Sequence, residues 1–289
     1  MMNTKEMKNK LYRFWKSDDE KVSLLRDVIV AVVVVLIVLT ALWTYTGQWF
    51  GAPMVAIESG SMMHKDEPFG RIGFIDAGDM VLLVKVDSRD DIVVRGSSYG
   101  GEMAKGAGGY QSYGDYGDVI VYMKYGRTDE DQIIHRAICW VDINNDGTYT
   151  VEEYGKYNVD SITIPELGLS NYRPDNEGYI TKGDNPVTND RCDQAGGICS
   201  QPIKLEWVTG KARGELPWIG TVNLLFNDLI SGSFWNPSVQ PTVYNVPSDS
   251  ITCLVILIIV LVSIPISFDV YDWYKKNHMK QYEFEEKMP

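Results

Sequence analysis

The sequence predicts a mainly β extracytoplasmic domain held between two transmembrane α-helices. Two apolar runs without charge, Val28–Trp43 and Ile251–Phe268, come close to the roughly 20 residues that a helix needs to cross a bilayer. Between them, short runs rich in Val, Ile and Tyr alternate with Gly, Pro, Asn and Asp, and no helical period is sustained. This pattern is typical of an all-β domain with a few short helices.

Lys and Arg residues at the two ends of the chain predict its orientation. Residues 1–26 carry seven Lys and Arg and the tail, 269–289, carries four. We therefore expect the chain to cross the cell membrane twice, with both ends on the cytoplasmic side. A cleavable signal peptide is the alternative for the first run, but that run is long and no small-residue cleavage site follows it. We therefore predict six segments. They are a cytoplasmic N-terminal segment (1–26), a first transmembrane helix (27–46), an extracytoplasmic β-rich domain (47–230), a linker (231–250), a second transmembrane helix (251–268) and a cytoplasmic tail (269–289).

The charge of the central segment excludes one class of partner. Residues 47–250 hold 16 Lys and Arg against 29 Asp and Glu, a net charge of −13, whereas the whole chain carries −12. Because phosphate binding requires the opposite sign, we expect no nucleic-acid partner. Histidine is too scarce for a zinc site, and we predict no cofactor and no metal in the site.

The four cysteines fall into two groups. Cys139 and Cys253 lie in apolar segments and are interpreted as small apolar residues. Cys192 and Cys199 lie in a polar loop that we place on the oxidising side of the membrane, where a disulfide between them is expected.

The elements follow from the apolar pattern and the turn residues. A polar loop is expected near 64–74, a Gly-, Ser- and Tyr-rich mobile insertion near 95–116, and a loop with Pro165, Gly168 and Pro174. Helical spacing at 224–230 predicts a short helix that could lie on the membrane. The predicted strands are 55–57, 79–86, 117–123, 133–141, 148–151, 179–182, 203–208 and 212–219.

Residues Asp142–Glu153 match the spacing of an EF-hand calcium loop. An EF-hand needs flanking helices, whereas the neighbours here are β-branched and aromatic. We favour a β-hairpin that turns at Asn145-Asp146-Gly147, and calcium binding stays a hypothesis.

Chemistry centres on the turn Ser59-Gly60-Ser61, which follows the first apolar run closely. A serine needs a nearby base to become a nucleophile, and the candidate histidines are His64 and His135. His64 alone is typical of an exposed loop residue, and His135 alone of a structural residue in a strand. The candidate acids that would orient the base are Asp184 and Asp190, which otherwise indicate a turn and a surface ion pair with Arg191.

Taken together, five blocks resemble the type I signal peptidase family, and the histidine in the third block indicates its archaeal and endoplasmic-reticulum branch. The resemblance covers roughly residues 55–221 and the preceding span. The blocks are Ser59-Gly60-Ser61-Met62, Gly78-Asp79-Met80-Val81, Gly117-Asp118-Val119-Ile120 with Ile134-His135-Arg136-Ala137, Thr181-Lys182-Gly183-Asp184-Asn185 with Asp190-Arg191, and Lys211-Ala212-Arg213-Gly214 with Pro217-Trp218-Ile219-Gly220.

The resemblance implies a role for each site residue. Ser61 would be the nucleophile, His135 the general base and Asp190 the acid that orients it, with Asp184 in support. The Ser61 N–H and the Ser59 hydroxyl would form the oxyanion hole.

The resemblance also implies the reaction. The enzyme would cut signal-peptide-bearing precursor proteins after small residues at the outer surface of the membrane. It would contact membrane lipid, with the protein translocation channel as a candidate partner. Two shallow pockets would receive the small side chains while the peptide pairs with a strand edge. Candidates to line the pockets are Val55, Ala56, Ile57 and Leu82 with its neighbours Val81, Leu83 and Val84.

Two departures from the family pattern are the insert before Pro68 and the long insertion at 97–116. The competing interpretations are a Ser–Lys mechanism and a non-enzymatic, membrane-anchored receptor or calcium-dependent adhesion domain.

Overall fold

A computed structural model describes residues 4–17, 19–49, 51–64, 72–96 and 106–285. The chain forms two compact units, Met1–Pro53 and Met54–Pro289. Residues 65–67 of the insert before Pro68 and the start of the insertion, 97–105, lie outside the described residues.

The first unit consists of two helices, α1 (Thr4–Trp15) and α2 (Glu20–Thr46). The Asp19 side chain caps α2 by accepting the N–H groups of Lys21 and Val22. Gly47 ends the helix in the left-handed conformation, which glycine adopts without strain. α2 has 27 residues and a mean hydropathy of 2.8 over its most apolar stretch, so it is long and apolar enough to cross a membrane.

The second unit is a mostly antiparallel β-domain. The described strands are β1 (Met54–Ala56), β2 (Met80–Val84), β3 (Gln111–Ser112), β4 (Asp115–Tyr116), β5 (Val119–Tyr122), β6 (Ile133–Ile143), β7 (Tyr149–Val151), β8 (Lys156–Val159), β9 (Ile162–Ile164), β10 (Leu169–Tyr172), β11 (Gly178–Lys182) and β12 (Val208–Leu216). The largest sheet has the order β1-β2-β12-β5-β6-β7-β8, and β11 also pairs with the long strand β6. β9 pairs with β10, and β3 with β4, as separate two-stranded ribbons.

One part of the core lies directly under the serine turn. Ile57 and Met62, on either side of Ser59–Ser61, are buried. They pack with side chains of β2, β5 and β12 in a cluster that contains Val81, Leu83, Val119, Val121 and Ala212. Two buried apolar anchors therefore fix the ends of the turn, and its polar residues face outward.

Three further helices complete this unit: α3 (Asp193–Gly196), α4 (Gly220–Ser231) and α5 (Ser248–Glu285). The buried carboxylate of Asp228 in α4 accepts the N–H groups of Thr242 and Val243 and so holds the segment that leads into α5. The stretch from Ser248 to Lys276 has a mean hydropathy of 2.9 and is the second helix that could cross a membrane. The fold prediction is thus confirmed in its coarse form: along the chain, a mostly antiparallel β-domain lies between an N-terminal and a C-terminal apolar helix.

Several finer predictions were wrong. The segment predicted as a proline-containing loop holds β8, β9 and β10, and the predicted strand at 203–208 is mainly a 3₁₀ turn before β12. The linker at 231–250 stays a prediction, and the segment includes two 3₁₀ turns, Ser233–Trp235 and Thr242–Asn245. The part of the insertion that is described forms the ribbon β3–β4.

Neither the calcium loop nor the disulfide is formed. Residues 144–147 turn between β6 and β7, where Asp142 instead accepts bonds from Trp140 and Arg89. Across the described residues, no cluster of three or more metal-ligating His, Cys, Asp or Glu side chains occurs. Cys192 and Cys199 are buried free thiols. They pack in different apolar clusters, which explains why they stay apart.

Candidate active site

The serine turn is clamped by the loop that follows β11. The side-chain amide of Asn185 donates to the Gly60 carbonyl at 2.7 Å, and its backbone N–H donates to the Ser61 carbonyl at 2.9 Å. The Asn189 amide donates to the same Ser61 carbonyl at 3.0 Å. Gly183 comes so close that a Cβ there would lie 2.6 Å from the Ser61 carbonyl oxygen, so only glycine fits.

The two serines of the turn contact each other. The Ser59 hydroxyl donates to the Ser61 Oγ at 3.2 Å. A donor at this place leaves the Ser61 hydroxyl proton available for a base. Ser61 is half-buried and Ser59 is exposed, so the structure places the two residues differently although the sequence pattern makes them equivalent.

His135 lies in the middle of the sheet, on β6. It is opposite Ile120 of β5 and only 2% exposed. Its Nδ1 lies 2.8 Å from both carboxylate oxygens of Asp193. An ionised carboxylate can only accept, so Nδ1 is the donor, and in a neutral imidazole the lone pair is then on Nε2.

Asp193 begins the short helix α3 and is itself buried. Besides His135, the Tyr122 hydroxyl donates to its Oδ2 at 2.7 Å and the Thr181 hydroxyl at 2.6 Å. Burial first, and then the negative charge of Asp193, raise the pKa of Tyr122 well above its usual value. Tyr122 therefore stays a proton donor throughout the physiological range.

A cleft of about 620 Å³ brings the candidate residues together. Ser59, Ser61 and His135 all line it. Three of the predicted pocket residues, Val55, Ala56 and Ile57, line it too. Its lining also includes the acidic and amide residues Glu58, Asp131, Gln132, Asn189 and Asn223.

Leu82 and its neighbours are corrections to the predicted pocket. Leu82 does not line the cleft, and its Cδ1 lies 3.3 Å from the place of a Cβ on Gly214 of β12. Val81 and Leu83 are fully buried in the core cluster below the turn. Alternation along β2 puts Val81 and Leu83 on the face opposite Leu82, and neither these three residues nor Val84 lines the cleft.

Asp190 is the main correction, because the structure gives its expected place to Asp193. The Asp190 side chain is 72% exposed and pairs with Arg191 at 3.1 Å. That ion pair holds the pKa of the Asp190 carboxyl below its usual value. Its distance from the buried imidazole follows from the next residues, since Cys192 turns into the core and brings Asp193 with it.

Asp184 does not touch His135 or Asp190. It binds the buried guanidinium of Arg136 at 2.8 Å and 2.5 Å, and its Oδ2 lies 3.4 Å from Nε2 of His64. Burial would raise the pKa of the Asp184 carboxyl, but Arg136 and His64 outweigh it and lower that pKa.

His64 was expected to be exposed, and this was wrong. The contact with Asp184 raises the pKa of His64 against the effect of its burial, and its ring packs edge-on against Phe74. Asp184 therefore supports the serine turn through His64, the residue three places after Ser61.

Sequence reasoning missed Asp193, Tyr122, Thr181, Asn185 and Asn189 as parts of the site. Thr181 and Asn185 belong to the block Thr181-Lys182-Gly183-Asp184-Asn185, but only their contacts in the structure show which groups they bind. Asp193 carries no local signal beyond a carboxylate between two cysteines.

Comparison with protein-family models gives no match for this chain, and comparison with curated proteins gives none either.

Proposed function

We propose that this protein is a membrane-bound serine endopeptidase of the signal peptidase type, which removes N-terminal signal peptides from exported precursor proteins. The observation that carries the proposal is the shared cleft: Ser61 and His135 line it together, and His135 is held by a buried carboxylate. A general-base mechanism needs this order of groups.

The chemistry follows from the orientation of the imidazole. With Nδ1 bonded to Asp193, Nε2 takes the proton of Ser61 as Oγ attacks the scissile carbonyl. The same proton then goes to the leaving amine. The Ser61 N–H and the Ser59 hydroxyl are the proposed donors to the oxyanion, each worth roughly 10²–10³ in turnover.

A peptide substrate has an open strand edge to bind. β1 pairs with β2 on one side only within the sheet, and its residues Val55 and Ala56 line the cleft. An extended peptide that adds to this edge would place alternate side chains against the cleft wall. That arrangement suits small residues before the cut.

The segment from α4 to α5 would bring the site close to the membrane. Asn245 donates to the Glu58 carbonyl at 2.9 Å and stands three residues before α5, so the apolar helix begins close to the serine turn. α4 exposes an apolar stripe with the spacing of one helix face, formed by Val222, Leu225, Phe226, Leu229 and Ile230. We propose that α4 lies in the lipid interface and that the site meets its substrate there, with the protein translocation channel as a candidate partner.

Cleavage of a secretory precursor by the full-length protein in detergent tests the proposal. Ser61→Ala is expected to lower kcat by at least about 10³, because the nucleophile is lost. Ser161→Ala, which removes an exposed hydroxyl bonded to Asn171, is the matched control and should cleave like the wild type. Normal cleavage by Ser61→Ala would overturn the proposed serine mechanism, whereas no cleavage by the wild type would favour the non-enzymatic domain.

His135→Ala separates the Ser–His mechanism from a Ser–Lys mechanism. We expect it to lower kcat to the level of Ser61→Ala, whereas Lys182→Ala, which removes a lysine near the site loop, should leave kcat unchanged. The reverse result would assign the base to a lysine.

A further inference from the structure

The buried carboxylate of Asp193 is shared by three side chains from three strands. His135 comes from β6, Tyr122 from β5 and Thr181 from β11. All four side chains are buried, and of the four only His135 lines the cleft. The two hydroxyls both donate to Oδ2, whereas the imidazole lies against both oxygens.

A carboxylate in such a place needs these donors. A buried charge without partners is costly, and hydrogen bonds to its ionised form offset that cost. Each donor also withdraws negative charge from the oxygens that face the imidazole. The two hydroxyls therefore affect two properties of His135: the direction in which its ring is held and the strength with which its protonated form is stabilised.

We infer that Tyr122 and Thr181 are positioning residues of the proposed peptidase, and this inference rests on the proposed function. Through Asp193 they set the orientation of the His135 ring and the pH above which it acts as a base. Neither lines the cleft. Their effect on the reaction is thus transmitted by the Asp193 carboxylate, and substrate binding does not depend on them.

The direction of the effect follows from electrostatics. Removal of a donor leaves more negative charge on Asp193, which stabilises the imidazolium form of His135. The base then stays protonated to a higher pH, and the acid limb of the kcat/KM profile moves upward. Loosening of the carboxylate also lowers kcat, because the imidazole is held less firmly.

The test measures precursor cleavage between pH 5 and 9 with full-length Tyr122→Phe and Thr181→Val. We expect the acid limb to move upward by about half to one pH unit in each variant, with kcat lowered roughly 3- to 30-fold and KM unchanged. Thr181→Ser keeps the hydroxyl and should restore the wild-type limb. Tyr149→Phe is the matched control, since it removes a buried hydroxyl that donates to the Pro174 carbonyl away from the site.

The outcomes separate the inference from the proposed function. An acid limb that stays in place in both donor variants, with a loss of activity no larger than that of Tyr149→Phe, would show that the hydroxyls are only structural and overturn the inference. Thermal unfolding of each variant identifies any that fails to fold, and the other donor variant then carries the comparison with the wild type and Tyr149→Phe. Failure of the proposed function is a different result: cleavage that persists in Ser61→Ala.

Discussion

Asp190 and Asp193, three positions apart, are an exposed carboxylate and the buried carboxylate that holds the imidazole. Asp190 lies in solvent beside Arg191, whereas Asp193 is 1% exposed and contacts His135. The burial of Cys192 between them turns the chain inward. A motif that counts residues from Asp184 selects the first carboxylate, but only the second is within hydrogen-bond distance of the ring.

Asparagine substitutions at both positions test this difference. Asp193→Asn should lower kcat by about 10²–10⁴, because the amide can favour the wrong tautomer of His135. Asp190→Asn is its matched control and should stay within about twofold of the wild type, since it loses only an exposed ion pair. Precursor cleavage under saturating substrate measures both. The opposite ranking would return the orienting role to Asp190.

Glu215 on β12 gives a prediction about stability and pH. Burial raises the pKa of its carboxyl to about 7 from 4.5, and the nearby Asp79 and Asp76 add to this effect. Between pH 4.5 and 7 the folded state therefore holds more protons than the unfolded chain, so stability rises as the pH falls through this window. Above pH 7 the ionised carboxylate is a penalty.

Glu215→Gln removes that penalty and keeps an acceptor for the Gly73 N–H. Because Glu215 is only half-buried, we discount the effect to about 1 kcal/mol, which raises Tm by about 2–4 °C at pH 8. At pH 4.5 the variant and the wild type should unfold together. Thermal unfolding of the detergent-solubilised chain measures both, and an equal shift at both pH values would contradict the electrostatic cause.

At the scale of elements, the sequence predicts best where the apolar pattern is continuous. β5 and β6 are buried, mostly apolar runs, and α2 and α5 each contain a long uncharged run, so each was predicted close to its observed place. β8 to β10 were missed because they are short, and β8 and β10 are also largely polar. Asn158 and Asn171 in these strands also adopt positive φ, which no strand pattern predicts.

The site shows the same limit. Ser61 and His135 stand in recognisable blocks, and the structure brings both to one cleft as expected. Asp193 and Tyr122 reach their places through strand pairing and a short helix, which join residues far apart in the chain. Such contacts depend on tertiary structure and leave no local pattern.

For the molecule as a whole, charge and hydropathy divide the chain in a consistent way. The segment from Leu216 to Ser248 contains a single charged residue, Asp228, and that residue is buried. The segment therefore presents no exposed charge although it follows a strongly acidic domain. It leads directly into α5, and an uncharged approach to a span is typical of a lipid interface.

Single cysteine substitutions labelled in intact cells test two predictions: the orientation of the chain in the membrane and the contact of α4 with lipid. Asn9→Cys lies on the predicted cytoplasmic side, Tyr157→Cys on the exposed surface of the β-domain, and Ile230→Cys on the apolar stripe of α4. A membrane-impermeant maleimide should label Tyr157→Cys at once and Asn9→Cys only after permeabilisation, with the wild-type chain as background. Ile230→Cys is 71% exposed on the protein surface, so lipid alone would protect it, and we expect labelling at least about tenfold slower than at Tyr157→Cys until detergent is added. Rapid labelling of Ile230→Cys in intact cells would place α4 in water, and labelling of Asn9→Cys there would reverse the orientation.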